Sequence, residues 1–459
     1  MDADTIAAIA TPPGAGGIGV VKLSGPRAIP LVLPLLRPPR DPSSLKSRRL
    51  YHGYVADPET EKTVDEVLFT VMRAPHTYTR EDVVEIQAHG SRCGLYAILE
   101  LVLKQGVRLA QPGEFTKRAF LNGRIDLTQA EAVAEVVSAQ TEEGLALATR
   151  QLKGRLHDAV EAVRRPLQEM LAEVEAAIDF PEDVDEIVEG GSFARKMARD
   201  VIAPLEAMLT HYDEGHIFRE GISAIIVGRP NVGKSSLMNR LLEKERAIVT
   251  TIPGTTRDFI EETVNIQGVP LRLIDTAGLH DTADALEAIG IAFTKKRLDE
   301  ADIVLFMVDC SAPLTEEDKK ISHLLRDRKA ILVVNKIDLA PDAPLEGIVD
   351  PLPDLPWVKI SALYNQGIED LKETIFKAVT DQKGPADLPR VVPNVRHKIA
   401  IQKAVTAAKE ASEGFRVRRP VELVAIDLKE ALDGLGEIIG VTTTEDILDQ
   451  IFGRFCIGK

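Results

Sequence analysis

The sequence predicts a multidomain protein of mixed α/β and α class. It has an α+β domain at the N-terminus, a discontinuous helical domain and an α/β domain inserted into the helical one. Two observations predict this organisation. The chain has 459 residues, enough for about two to four domains of average size. The spacing of its apolar residues also changes along the chain, from mixed to helical, then to alternating strands and helices, and back to helical.

Composition narrows the class of protein. Apolar residues make up 44% and charged residues 28%, a globular balance. The three cysteines, Cys93, Cys310 and Cys456, form no CxxC pair, which excludes a disulfide framework and a cysteine-rich zinc site. The formal net charge is −15, so any nucleic-acid contact must be local, or a partner must supply the positive charge.

The sequence carries no sign of a membrane segment or a signal peptide. No apolar run approaches the roughly 18 residues that a membrane span needs. The N-terminus reads Met-Asp-Ala-Asp and lacks the basic and apolar regions of a signal peptide. We therefore expect a cytoplasmic protein that makes no membrane contact.

Residues 1–120 predict the α+β domain. Short β-branched and apolar runs at 19–23, 67–71 and 83–87 predict strands. Residues 12–17 are rich in proline and glycine and predict an irregular loop.

Residues 121–215 predict the first part of the helical domain. Leu167, Leu171, Val174 and Ile178 recur at spacings of four, three and four, which is one stripe of a helix that Pro181 should end. The second helical part extends over 380–459 and begins with a proline-rich linker at 381–393. Insertion of another domain between the two parts is reasonable because domain termini tend to lie close together.

Residues 216–379 predict the inserted α/β domain. Five apolar runs alternate with helical stretches, a pattern typical of a parallel sheet covered on both faces. They lie at 222–227, 271–274, 303–308, 331–334 and 358–360.

A phosphate-binding loop follows the first of these strands. Residues 228–235 read GRPNVGKS and match the pattern GxxxxGK[ST], with a helical run at 236–242 directly after it. The glycines let the backbone wrap phosphates, and the helix N-terminus adds partial positive charge. We expect Lys234 to reach the β- and γ-phosphates and Ser235 to ligate Mg²⁺.

Three further motifs indicate guanine. DTAG at 275–278, NKID at 335–338 and SAL at 361–363 each follow a predicted strand. The Asp338 carboxylate can accept two hydrogen bonds from guanine, and adenine offers no such pair of donors. The sequence therefore predicts a P-loop GTPase domain of the Ras-like fold. The predicted GTP-binding residues are Asn231, Val232, Gly233, Lys234, Ser235, Ser236, Thr250, Thr251, Ile252, Pro253, Gly254, Thr255, Thr256, Asp275, Thr276, Ala277, Gly278, Asn335, Lys336, Asp338, Ser361, Ala362 and Leu363.

One position departs from Ras-like enzymes. Leu279 follows the DTAG motif where those enzymes carry the glutamine that orients water. Hydrolysis therefore needs another acid or base and another positive charge. The loop at 250–258 is the predicted first switch, in which a threonine should complete the Mg²⁺ shell.

Four segments resemble one family. They are FCIGK at 455–459, TPPGAGGIG at 11–19, QPGEFTKRAFLNG at 111–123 and the TxxGTTRD pattern within 250–258. Together they closely resemble the tRNA uridine 5-carboxymethylaminomethyl modification GTPases, the MnmE/TrmE family. The resemblance covers essentially the whole chain.

The resemblance implies a function. Members of this family work with a FAD-binding partner of the GidA/MnmG family, in a heterotetramer-type complex, on carbon 5 of the wobble uridine of certain tRNAs. A tetrahydrofolate derivative supplies the one-carbon unit and binds the N-terminal domain, through which the family forms a homodimer. The two G domains associate when GTP and K⁺ are bound, and K⁺ replaces an arginine finger.

The resemblance also assigns roles by position. It implies that Asn231, Thr250, Ile252 and Thr255 hold K⁺ and that Thr256 joins Ser235 on Mg²⁺. Glu287 falls at the position of the acid that orients water. The folate site matches Glu85, Arg124 and Lys459, and Lys22 stands at the fourth position, where arginine is frequent; lysine keeps the charge but not the bidentate fork.

Alternatives remain at two levels. Without the resemblance, Glu287 reads as a solvated helix residue and Cys456 as a small buried apolar one; with it, both are candidate catalytic residues. A regulatory GTPase in ribosome assembly would share the G-domain motifs without needing a one-carbon site. The N-terminal domain and the CIGK terminus favour tRNA modification.

Overall fold

A computed structural model describes residues 4–179, 190–243, 262–274, 298–326, 328–341, 355–380 and 388–459. The chain forms two compact units. Unit 1 comprises residues 1–134, 151–197 and 406–459, and unit 2 comprises 135–150 and 198–405. Within the described ranges, no helix is long and apolar enough to cross a membrane.

Unit 1 contains a sheet whose strands follow the order β3-β4-β5-β6-β2-β1-β7. Neighbouring strands are antiparallel except β1 and β7. The strands are β1 (Ile6–Ile9), β2 (Gly16–Ser24), β3 (Leu36–Arg37), β4 (Leu50–Ala56), β5 (Thr63–Met72), β6 (Val83–Gly90) and β7 (Arg108–Leu109). The three strands that the sequence predicts here are confirmed as β2, β5 and β6.

The predicted loop at 12–17 is two residues too long. Gly16 and Gly17 belong to β2, and Gly16 pairs with Gly90 of β6 beside an irregularity in register. A Cβ at Gly90 would lie 2.5 Å from the carbonyl oxygen of Gly16. Glycine is a loop signal in the sequence, but here it permits a close approach of two strands.

Helices α1 (Ala28–Val32) and α2 (Arg92–Lys104) cover one face of this sheet, and α3 (Glu114–Leu121) packs its Phe115 against Ile6 and Ala8, which point to the other face. The Ser91 hydroxyl begins α2 by accepting a hydrogen bond from the amide of Gly94 at 3.0 Å. Apolar side chains of α2, including Ile98 and Val102, pack with Val21 and Phe69 of the sheet. This core fixes the strands that carry a site described below.

The chain then becomes helical as predicted. It forms α4 (Leu127–Ser138), α5 (Glu142–Leu152), α6 (Arg155–Asp179) and α7 (Gly190–Met197). Leu167 and Val174 of the predicted stripe are fully buried in α6, together with Val160 and Met170. The predicted stop at Pro181 lies outside the described residues.

Unit 2 contains a six-stranded sheet with strand order β13-β12-β11-β8-β10-β9. Its elements are α8 (Ala203–Glu220), β8 (Ile222–Val227), α9 (Lys234–Glu243), β9 (Glu262–Ile266), β10 (Val269–Ile274), β11 (Ile303–Asp309), α10 (Glu316–Leu324), β12 (Ala330–Asn335), β13 (Trp357–Lys359) and α11 (Ile368–Thr380). All five predicted strands are present, and buried apolar clusters cover both faces.

One strand departs from the predicted parallel arrangement. β9 is antiparallel to β10 and forms the edge of the sheet. Val264 and Ile266 of β9 are buried, and polar Thr263 and Asn265 stand between and beside them. A search for continuous apolar runs therefore misses this strand, because a strand at an edge alternates instead.

Three helices complete the chain: α12 (Val395–Arg416), α13 (Val421–Ile439) and α14 (Glu445–Phe452). α13 packs against α6, and Lys429 of α13 pairs with Glu175 of α6 at 2.8 Å. The two helical stretches of the sequence therefore meet inside unit 1.

Candidate functional site

The phosphate-binding loop connects β8 to α9 in unit 2. Gly228 has φ +151°, and a Cβ there would lie 2.3 Å from the carbonyl oxygen of Met307 in β11. Gly233 has φ +105°, and a Cβ there would lie 2.3 Å from the Asn335 side-chain nitrogen. Glycine is therefore required at both ends of the loop, because its backbone approaches two neighbouring strands.

Lys234 lies over this loop at the start of α9. Its Nζ donates to the carbonyl oxygens of Gly228 and Arg229, both at 2.8 Å. Burial lowers the pKa of Lys234, and the nearby Glu317 carboxylate opposes this effect. A phosphate that enters the loop meets this ammonium group and the N-terminus of α9 together.

The residues predicted to bind guanine lie at the ends of β12 and β13. Asn335 joins two motifs: its Nδ2 donates to the Val232 carbonyl at 2.8 Å, and its Oδ1 accepts from the Ala362 amide at 3.0 Å. The Ser361 hydroxyl donates to Oδ1 of Asp338 at 2.6 Å. These bonds bring the phosphate loop and the two base motifs into one hydrogen-bonded group.

Two residues outside the predicted motifs also make contacts at this end of the sheet. Lys336 donates to the Asp309 carboxylate at 2.6 Å. Burial alone would raise the pKa of Asp309, but hydrogen bonds from Lys336 and Ser311 lower it. Arg240 of α9 donates to the carbonyl oxygen of Leu363 at 2.9 Å and so holds the last base motif. Asp309 pairs with Asn335 across β11 and β12, a register that the sequence alone does not reveal.

Several predicted site residues lie outside the described residues. These are Thr250, Thr251, Ile252, Pro253, Gly254, Thr255, Thr256, Asp275, Thr276, Ala277, Gly278 and Glu287. Of the predicted cation ligands, Asn231 and Ser235 are described, and both are exposed at the loop. Asn231 adopts φ +63°, the left-handed region that asparagine tolerates better than most residues. Oxygen donors at exposed loop positions suit the hard cations Mg²⁺ and K⁺.

A second group of predicted residues meets in unit 1. Lys22 of β2 and Glu85 of β6 are directly opposed in the antiparallel register. Arg124, after α3, and Lys459 both act on the charge of Lys22. Burial lowers the pKa of Lys22, Lys459 and Arg124 lower it further, and Glu85 raises it. The other three residues predicted for a folate site are therefore each close enough to Lys22 to interact with it electrostatically.

Aromatic rings line this cationic group. The ring of Tyr78 lies 4.8 Å from Lys22 Nζ and 4.7 Å from Arg124 Cζ, and the Phe115 ring lies 4.9 Å from Lys22 Nζ. At these distances the electron-rich face of each ring attracts the neighbouring cation. The hydroxyl of Tyr78 is hydrogen-bonded to that of Thr116 at 2.9 Å. Sequence reasoning missed Tyr78, because a lone aromatic residue in a loop carries no motif.

The C-terminal segment is docked in unit 1. Phe452 and Phe455 pack with Phe120 and Leu127. Gly458 has φ +96°, and a Cβ there would lie 2.7 Å from the carbonyl oxygen of Ile9. The alternative in which Cys456 is a small buried residue is wrong, since this cysteine is exposed. Packing of the neighbouring phenylalanines holds the segment and leaves the thiol at the surface.

The cluster of Lys22, Arg124, Lys459 and Glu85 has three cationic groups and one carboxylate. Its excess of positive charge fits a ligand with more than one negative charge, and its aromatic rings fit a flat ring system. Among the residues that the structure describes, no group of three or more His, Cys, Asp or Glu side chains is placed to hold a metal ion.

These features define a class: multidomain proteins with a P-loop domain of the guanine-nucleotide type. Comparisons with known proteins define the family. Residues 5–124 match the model of the GTP-binding protein TrmE N-terminus, and residues 127–456 match the model of the MnmE helical domain. The chain belongs to the MnmE family of tRNA modification GTPases.

Full-length relatives support this assignment. The tRNA modification GTPase MnmE of Alkaliphilus oremlandii is 47% identical, with 99% of each chain covered. That of Carboxydothermus hydrogenoformans is also 47% identical, with 100% of each chain covered.

A solved structure of Era in complex with MgGDPNP and a 16S ribosomal RNA fragment is 30% identical and covers 40% of this chain and 66% of that chain, with a TM-score of 0.29.

Proposed function

We propose that this protein is a GTP hydrolase whose reaction is coupled to tRNA modification. One observation carries the nucleotide part of the proposal. Asn335 hydrogen-bonds the phosphate loop at Val232 and the base motif at Ala362, beside an Asp338 carboxylate that Ser361 orients. This arrangement suits one ligand with both a polyphosphate and a guanine. Membership of the family supports the link to tRNA.

The proposed modification is the addition of a carboxymethylaminomethyl-type group at carbon 5 of the wobble uridine. A FAD-binding partner of the GidA/MnmG family completes the reaction in a heterotetramer-type complex. The formal net charge of −15 supports a need for a partner, because tRNA is itself a polyanion. The proposed address is the cytoplasm.

The charged cluster of unit 1 is the proposed site for a tetrahydrofolate derivative, which would supply a one-carbon unit when bound. Lys22, Arg124 and Lys459 attract its carboxylates, and Glu85 can accept hydrogen bonds from ring N–H groups. Cys456 is exposed on the segment that carries Lys459, which supports a role at this site. The Cys456→Ser variant tests whether that role is catalytic.

The proposed domains keep the boundaries read from the sequence. Residues 1–120 form the folate-binding and homodimerisation domain, 216–379 the G domain, and 121–215 with 380–459 the helical domain. In the dimer, the two G domains associate when GTP is bound. The packing of α6 against α13 supports a helical domain made of two separate stretches.

Hydrolysis is proposed to depend on monovalent and divalent cations. Asn231, Thr250, Ile252 and Thr255 would hold K⁺, and Ser235 and Thr256 would hold Mg²⁺. When bound, these ions supply fixed positive charge beside the phosphates, a term often worth several kcal/mol. Glu287 orients the attacking water in place of the glutamine that Leu279 replaces. The exposed position of Asn231 at the loop supports its part in this set.

The first test is chemical analysis of tRNA. Wobble nucleosides from cells that lack this protein are measured by mass spectrometry, and the carboxymethylaminomethyl-type nucleoside should be absent and should return on complementation. Unchanged nucleosides together with defective ribosomal subunits would favour the alternative of a regulatory GTPase in ribosome assembly.

The second test concerns the cation. Single-turnover GTP hydrolysis is measured in K⁺ and in Na⁺ at equal ionic strength. We expect a much faster reaction in K⁺, because a cage of oxygen ligands discriminates by size and field. Asn231→Ala should lose that difference, and Glu287→Ala should lose most of the rate while still binding GTP. Equal wild-type rates in the two salts would remove K⁺ from the mechanism.

A further inference from the structure

A buried carboxylate lies at the start of α10, outside the nucleotide-binding motifs. The Asp318 side chain is 0% exposed. Its Oδ2 accepts hydrogen bonds from the amide and from the hydroxyl of Thr315, both at 2.9 Å. These two bonds tie Asp318 to the N-cap residue of α10, so they explain its presence as part of a helix cap.

The cap does not account for the remaining contact. Arg229, the second residue of the phosphate loop, extends its side chain to the same carboxylate. Its Nε lies 3.0 Å from Oδ1 and 2.8 Å from Oδ2 of Asp318. Burying a charge is unfavourable unless it is paired, so Asp318 needs Arg229 as a partner. This ion pair joins α10 to the loop.

The connection continues to the lysine of the loop. The main-chain oxygen of Arg229 accepts a hydrogen bond from Lys234 Nζ at 2.8 Å. Asp318 therefore acts on Arg229, and the Arg229 backbone acts on Lys234. Glu317, the neighbour of Asp318 in α10, also influences the charge of Lys234. The first turn of α10 is thus part of the surroundings of the phosphate site.

We propose that Asp318 is a positioning residue for nucleotide binding. Through Arg229 it fixes the main chain between Gly228 and Asn231, and hence the place of the Lys234 ammonium group that meets the phosphates. A loop held in this way loses less conformational freedom when a nucleotide binds. The inference rests on the nucleotide-binding part of the proposed function and adds a residue that the GTPase motifs do not include.

The alternative is that Asp318 only caps its helix. The two roles separate because Thr315 contributes to the cap and makes no contact with Arg229 among the hydrogen bonds of the described residues. Thr315→Val removes the hydroxyl bond of the cap and keeps the ion pair. Arg229→Met removes the ion pair and keeps the cap. These two variants form a matched pair.

The experiment measures the affinity of the full-length protein for a fluorescent GDP analogue. Arg229→Met and Asp318→Asn should each weaken binding about 10-fold or more, as expected for residues coupled by direct contact. The double variant should be no weaker than either single variant, because both break one connection. Thr315→Val should bind within about twofold of wild type, since the ion pair is intact.

A second readout excludes a general loosening of the domain. The ratio of GDP to IDP affinity reports contacts to the exocyclic amine of the base, which lie at Asp338. This ratio should be the same in Arg229→Met as in wild type, while both affinities fall. Arg229→Lys keeps the charge and loses the planar fork, so its affinity should lie between those of Arg229→Met and wild type.

The outcomes are distinct. Wild-type affinity in Arg229→Met, or an equal loss in Thr315→Val, overturns the positioning role alone. If the two losses of affinity multiply in the double variant, the positioning role is also overturned. If Asp318→Asn fails to fold, Arg229→Met and Arg229→Lys still decide the question. A wild-type protein that binds no guanine nucleotide overturns the proposed function and the inference together.

Discussion

Lys22 is a half-buried cation beside two other cations, and this gives a prediction about pH. Burial together with Lys459 and Arg124 lowers the pKa of Lys22, against the influence of Glu85. A bound anion favours the protonated form, so binding should take up protons. As pH rises through the lowered pKa of Lys22, affinity for a reduced folate should fall, by up to about tenfold per pH unit.

Lys22→Arg provides the matched variant. Arginine stays protonated at any pH at which the protein is folded, so the affinity of this variant should change little over the same range. Isothermal titration calorimetry in buffers of different ionisation enthalpy measures the proton uptake directly. Equal proton uptake by the variant and the wild type would show that another group titrates.

Asp338 gives a prediction about base choice. Asp338→Asn replaces an acceptor by a group that can donate, so affinity for GDP should fall and affinity for a xanthine nucleotide should rise, because xanthine carries an oxygen in place of the amine. Discrimination of this kind reaches several orders of magnitude in sites built around one polar group. Fluorescence competition with GDP and XDP measures both affinities.

Asp299→Asn is the control for that substitution. It makes the same chemical change at an exposed residue of unit 2 that pairs with Arg328. Its preference for guanine should match that of wild type. A GDP affinity unaltered by Asp338→Asn would contradict the assignment of this residue to the base.

Single residues were predictable where they belong to a motif of consecutive residues. Gly228, Gly233 and Lys234 follow from one eight-residue pattern, whose backbone demands are local. Tyr78, Asp309 and Asp318 were not predictable, because each reaches its site from a different segment and matches no pattern. Lys22 and Glu85 fall between these cases: only the resemblance singled them out, and the β2–β6 register opposes them.

At the scale of elements, the docked C-terminal segment gives a further prediction. Deleting residues 456–459 removes Lys459 from the charged cluster of unit 1 and leaves the described nucleotide residues of unit 2 intact. Folate affinity should fall about 10-fold or more, as expected for a lost contact to a charged group. The tRNA modification should be lost, while GTP hydrolysis continues at the wild-type rate.

Two point variants refine that test. Lys459→Ala should reproduce the loss of folate affinity, and Cys456→Ser should bind folate normally. If Cys456→Ser also abolishes tRNA modification, the thiol takes part in the chemistry. Folate binding that survives the deletion would contradict the placement of the site.

Elements were predicted best where burial is continuous. β8, β11 and β12 are buried along almost their whole length and consist mostly of apolar residues, so their sequence alone marks them. β9 was missed because its edge position leaves alternate residues polar. The strand β2 extends further than predicted because Gly16 pairs closely with Gly90, and no local propensity reports a cross-strand approach.

At the scale of the whole molecule, the division into two compact units predicts two thermal transitions. Only unit 2 contains the described nucleotide residues, so excess GDP should raise the midpoint of one transition and leave the other unchanged. At 100 times the dissociation constant, the stabilisation is about 2.7 kcal/mol. Differential scanning calorimetry with and without GDP measures both midpoints.

A suitable control is Lys234→Ala, which should show two transitions that GDP does not move. A single transition that shifts as a whole with GDP would mean that the units unfold together. Reduced folate should produce the converse pattern, with a shift confined to the transition that GDP leaves in place.

The packing of α6 against α13 has a consequence for synthesis on the ribosome. About 240 residues separate the end of α6 at Asp179 from the start of α13 at Val421. At about 5–20 residues per second, α13 emerges about 12–50 s after α6. During this delay, most of unit 2 is synthesised and α13 does not yet cover α6. The apolar side of α6 includes Leu167, Met170 and Val174. Nascent chains of this protein should therefore engage holding chaperones at α6, and release should coincide with the emergence of α13.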